Sequence, residues 1–131
     1  MLKLINNLRN FISKGAAFLI WFISALIAYD FFIHGARKLD PSGWWAPAFE
    51  KWGYPTWFMI LIGIIELIGA LLLIIPKVRY IGAFFLFIIM LGALTTKALH
   101  KIAIEEVVFF LNILTLLLFL FIYEFKKQSN Q

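Results

Sequence analysis

Cysteine is absent from this chain of 131 residues. Disulfide exchange, thiolate catalysis, cysteine-bound zinc and iron–sulfur ligation are therefore closed to it without help from another protein. Charge is also scarce: Asp, Glu, Lys and Arg make up 15% of the residues, against about 25% in soluble domains. No serine stands in a recognisable nucleophile setting, and there is no Gly-rich phosphate loop, no HExxH pattern and no series of voltage-sensing arginines. The net charge of +5 comes from twelve Lys and Arg scattered in short clusters at the edges of apolar runs. With no basic helix face to read bases, that distribution excludes nucleic-acid binding.

What fills the chain is hydrocarbon: 63% hydrophobic residues, of which the aromatics Phe, Trp and Tyr contribute 18% of the whole. Four apolar runs stand out, at residues 16–33 (broken only by Asp30), 57–75 (broken only by Glu66), 80–96 and 107–123. Each is long enough to cross a hydrocarbon core of about 30 Å as a helix. Barrel-type alternation is missing, and in lipid the backbone must satisfy its own hydrogen bonds, so the expected fold is all-α. A single membrane domain is predicted over residues 1–131, built as a four-transmembrane-helix bundle. The first run reads as a retained helix and not as a cleaved signal, because Leu26 occupies a position where cleavage after Ala28 would need a small residue.

The connections differ in kind. Pro76-Lys77-Val78-Arg79 is too short for anything but a tight turn, with Lys77 and Arg79 expected among lipid headgroups. Residues 34–56 hold three of the four prolines together with Trp44, Trp45 and Trp52, and such a segment is expected to lie flat at the membrane surface. Residues 2–14 place Leu2, Ile5, Leu8, Phe11 and Ile12 near helical spacing. They suit either an interfacial amphipathic helix or an extension of the first span. The tail 126–131 reads as disordered. Seven basic residues fall on the side of the termini and five on the other, which places both termini in the cytoplasm, with a bacterial cytoplasmic membrane as the expected location.

Four crossings gather Asp30, His34, Arg37, Lys38, Thr95, Thr96, Lys97, His100, Lys101, Glu105 and Glu106 at one mouth of the bundle. Asp30, His34 and Lys38 are four residues apart and share a helix face if the first helix continues past Gly35. That spacing suits a proton relay or an interfacial ion pair with Arg37 or Lys38. Glu66, at the centre of an otherwise uncharged run, is the first candidate for function. An acid at the membrane midplane costs at least ~2.5 kcal/mol and persists where it meets protein, water or a ligand. Gly63, Gly69 and Ala70 around it admit a close helix neighbour, so the carboxylate is expected to face inward, as a proton, ion or ligand site or as a hydrogen-bonding staple. Glu105, Asn112 and Thr115 recur at seven and three on the fourth span and so share a face, and Asn112 is expected to hydrogen-bond across helices. A metal set from His34, His100 and one carboxylate lacks a supporting motif, and no metal is expected.

The order of features resembles the DoxX-like family of small four-helix membrane proteins. The likeness is carried by Gly35-Ala36-Arg37-Lys38-Leu39 with Pro41, Trp52-Gly53-Tyr54-Pro55, Gly63-Ile64-Ile65-Glu66-Leu67 with Gly69-Ala70, and then Arg79, Gly82-Ala83, Met90, Ala93 and His100. It spans about residues 18–123. The resemblance implies an association with membrane oxidoreductase assemblies, some of them quinone-linked, and points to Lys38, Glu66 and His100 as a shared site. Any thiol-dependent role would need cysteines from a partner. The expected function is an accessory subunit without catalytic activity of its own, binding a quinone-like molecule beside a redox partner. The alternatives are a proton-coupled transporter using Asp30 and Glu66, its small size compensated by homo-oligomerisation, and a purely structural anchor.

Overall fold

A computed structural model describes residues 1–100 and 104–129. Five helices follow one another: α1 (Leu2–Arg37), α2 (Ala46–Lys51), α3 (Thr56–Leu73), α4 (Arg79–Leu99) and α5 (Ile104–Ser129). Four of them, all but α2, are long and apolar enough to cross a membrane, as the four apolar runs require. Lys101 and the last two residues of the tail lie outside the described residues, while Lys126 to Ser129 complete α5 instead of fraying into a tail. The 36 residues of α1 form one unbroken helix, so residues 2–14 continue the helix of the first span without a break. At 1.5 Å per residue that helix is ~54 Å long, well beyond the hydrocarbon thickness. Residues 1–15 are all exposed.

The helices pack in chain order: α1 against α3, α3 against α4 and α4 against α5, with α2 resting on α3. Glycine sets the two inner seams. A Cβ on Gly63 would fall 2.7 Å from the Gly35 carbonyl oxygen and 2.9 Å from the Cβ of Lys38, so α1 and α3 cross backbone to backbone there. A Cβ on Gly82 would lie 2.7 Å from the Gly69 carbonyl oxygen, which marks the equivalent approach of α4 to α3. Without a hydrophobic drive between helices in lipid, such close approach is a main source of association. The core between the seams is filled by Ile27, Phe31, Ala70, Leu86, Leu114 and Leu117 among others. Large side chains such as Phe18, Trp21, Ile68, Phe85 and Phe119 stay on the outside, facing acyl chains.

At the end of the bundle that carries the chain termini, Arg79 is only 4% exposed and Glu124 only 1%. Arg79 is thus enclosed by the protein and not solvated. Its Nη1 donates to Glu124 Oε1 at 3.0 Å and its Nε to the Leu73 carbonyl at 2.7 Å. One guanidinium thereby satisfies a terminal carbonyl of α3 and fastens the start of α4 to the end of α5.

Candidate functional site

Gly63, Glu66 and Gly69 stand three residues apart on α3. At about 100° per residue, Glu66 projects midway between the seam that Gly63 makes with α1 and the seam that Gly69 makes with α4. The carboxylate therefore enters the wedge between those two helices and is only 3% exposed. Lys38, the residue at the C-cap of α1, reaches it: Nζ donates to Glu66 Oε1 at 2.6 Å, and the two side chains are 9% and 4% exposed. The absence of a side chain at Gly63 is what lets the lysine stem lie against α3. The same ammonium sits 4.4 Å from the centroid of the Trp45 ring, a cation–π contact that supports the charge from its other side.

Above this pair lies a cavity of about 590 Å³. Its floor is Glu66 and Lys38, its walls are Phe31, Phe58, Met90 and Phe110, and its roof is Trp45, Phe49, Trp52 and Tyr54 from the segment between α1 and α3. That segment is expected from sequence to lie flat; instead it folds over the bundle mouth through the short helix α2. The turn that ends α2 is specific. Gly53 has φ +82°, and the Tyr54 N–H reaches back to the Phe49 carbonyl at 2.9 Å while that of Gly53 reaches Glu50 at 3.0 Å, the left-handed glycine ending of a helix. It delivers Tyr54, whose hydroxyl shares a 2.8 Å hydrogen bond with Thr96 Oγ1 on α4. Roof and bundle are so joined across the cavity. Ile88 and Phe109 also line it while 49% and 53% exposed, so one flank opens toward lipid, where α5 and α1 do not pack closely.

Of the sequence-predicted mouth residues, Asp30, His34, Lys38, Thr96, Lys97, Glu105 and Glu106 line the cavity. His34 and Asp30 are half-exposed at its rim; the ring Nδ1 donates to the Asp30 backbone carbonyl at 2.7 Å and lies 3.5 Å from the carboxylate. The pairing of Asp30 with Arg37 or Lys38 is not formed, because Lys38 turns inward to Glu66. His100, at the end of α4, is exposed with its ring nitrogen on the Thr96 carbonyl at 2.8 Å, and it does not line the cavity. Among the described residues no three His, Asp or Glu side chains stand together as a metal set. Asn112 and Thr115 share a face, which points outward; within this chain Asn112 therefore does not make the expected bond to another helix, and the Thr115 hydroxyl donates to the Leu111 carbonyl of its own helix at 2.8 Å. Sequence reasoning also overlooked Glu124, one residue past the fourth apolar run, although an acid there and a base at Arg79 on the same membrane side are a legible pair.

Two buried polar atoms of cavity residues have no hydrogen-bond partner, the acceptor Glu66 Oε2 and the donor Trp45 Nε1. Buried polar groups are rarely left so. An aromatic chamber with a buried ammonium, a carboxylate, one spare acceptor and one spare donor, set into a row of membrane-crossing helices, defines a small integral membrane protein with a built polar site. The sequence model of the DoxX-like family matches residues 22–121, which takes in all of the cavity, and the chain belongs to that family. No curated protein and no solved structure matches it.

Proposed function

We propose that the protein is an accessory membrane subunit that holds a quinone-like molecule in the chamber over Lys38 and Glu66, beside a membrane oxidoreductase partner that performs the chemistry. The observation that carries this reading is the unpartnered pair of atoms, Glu66 Oε2 and Trp45 Nε1, on residues that also enclose an apolar volume. A planar head group with carbonyl oxygens accepts from Trp45 Nε1 or Lys38 Nζ, and an O–H of its reduced form donates a hydrogen bond to Glu66 Oε2. Trp45, Phe49, Trp52 and Phe58 supply faces for the ring, and the flank at Ile88 and Phe109 gives an apolar tail its exit into the bilayer. A volume of several hundred Å³ suits such a head group. His34 and Asp30 at the rim would exchange its protons with water.

The test uses purified protein in lipid nanodiscs and decylubiquinone, read by quenching of the roof tryptophans. Saturable quenching is expected, weakened roughly tenfold in Glu66→Gln, a loss of about 1.4 kcal/mol. Unchanged quenching in that variant together with lowered stability assigns Glu66 to a structural staple and removes the site. A second reading, a proton-coupled transporter, draws on Asp30, His34, Lys38 and Glu66, four of the titratable residues lining the cavity, which run from the half-exposed rim pair to the buried Lys38–Glu66 pair. Proton flux into liposomes that vanishes in Glu66→Gln would favour it over the accessory role.

A further inference from the structure

Among the described residues, every strongly polar side chain within the apolar runs 16–33, 57–75, 80–96 and 107–123 is buried or bonded within the chain, with one exception. Asn112 lies on the outer surface of α5, eight residues and so ~12 Å along the helix from its first residue, Ile104. Among the described residues its carboxamide has no side-chain hydrogen bond. Thr115 beside it needs none, being tied to Leu111. A free carboxamide among acyl chains is strongly disfavoured, so the residue calls for a partner outside the chain.

We propose that α5 carries a self-association surface, and that the partner of Asn112 is Asn112 of a second copy of this chain. The residues that share its outward face are Val108, Asn112, Thr115, Phe119 and Ile122, spaced four, three, four and three. That is the seam of two helices wound about each other, with a polar residue at one seam position fixing the register. Val108, Phe119 and Ile122 are 50%, 51% and 45% exposed, and the stripe lies opposite the Leu114 and Leu117 face that enters the core. The choice of a second copy rests on symmetry. Copies inserted in one orientation around an axis normal to the membrane hold each residue at the same depth, so the polar group of one meets that of the other. A carboxamide is self-complementary, since each donates an N–H and accepts at its oxygen, which a carboxylate or an ammonium is not.

The cysteine-free chain makes the test direct. Single cysteines introduced by Val108→Cys and Phe119→Cys, on the stripe, are compared with Leu111→Cys and Leu118→Cys, about 100–120° around the helix from Asn112, under mild oxidation of the full-length protein in liposomes. The first pair is expected to form disulfide-linked dimers and the second to give little product. Adding Asn112→Leu should cut the cross-linked fraction on the order of tenfold, the scale of an interhelical polar contact, while Asn112→Gln retains it. Unchanged tryptophan emission of Asn112→Leu shows that the fold survives. Equal cross-linking from all four positions, indifference to Asn112→Leu, or adducts only with other proteins in native membranes would each overturn the proposal.

Discussion

Replacing Lys38 with Met keeps the length of the stem and removes its charge, which leaves Glu66 in the wedge between α1 and α4 with no cation at 2.6 Å. Both side chains are almost fully enclosed, so water cannot take the place of the lost ammonium. Breaking a buried ion pair from one side costs about 3–5 kcal/mol, whereas replacing both members with apolar groups of similar volume is commonly neutral or better. The expected order is therefore wild type near the Lys38→Met, Glu66→Leu double variant, and both well above Lys38→Met alone. The coupling between the two positions should amount to several kcal/mol, far outside the scatter of about 0.3–0.5 kcal/mol expected for independent sites. Unfolding in mixed micelles of rising dodecyl sulfate content, followed through the tryptophans, reads all four corners of the cycle. A single variant within about 1 kcal/mol of wild type, or a double variant worse than either single, would refute the pairing and the burial on which the site is built.

Other outcomes follow from the same geometry. Gly63→Ala should destabilise the fold by about 1–3 kcal/mol, since its methyl meets the Gly35 carbonyl oxygen at 2.7 Å and backbone must shift; the same unfolding titration checks it. Arg79→Met is expected to cost about 3–5 kcal/mol by stranding Glu124, while Glu124→Gln, which keeps an acceptor for the guanidinium, should cost markedly less. Tyr54→Phe removes the bond to Thr96 and should cost about 0.5–1.5 kcal/mol; Thr96→Val should match it, and the pair combined should be little worse than one. Hydrogen exchange of residues 46–55 measures the loosening of the roof in the Tyr54 variant.

The spans were legible in sequence because lipid demands long apolar helices, and Glu66 announced itself as the lone charge of its run. Its inward aim followed from the small residues three positions to either side. Less visible was its partner: Lys38 lies 28 residues away, and only the continuation of α1 past Gly35 with the side-chain-free surface of Gly63 brings the two together. The placement of Asn112 went the wrong way because a helix that is apolar on every side carries no periodic signal to fix its rotation. Arg79 and Glu124 were hidden by their position at the ends of apolar runs, where a charge is ordinarily read as solvated. The folding of residues 46–51 over the mouth could not be seen in a segment rich in proline and tryptophan, since both surface burial and a roof use the same amphipathic rings.

The open flank beside Ile88 and Phe109 changes which concentration matters. A ligand of the kind proposed, dissolved among acyl chains, would meet this doorway by two-dimensional search, without first entering water, and its occupancy would follow its mole fraction in the leaflet. Affinity for such a doorway is properly expressed per lipid, and adding empty vesicles, which leaves the protein untouched, would unload it as surely as a mutation.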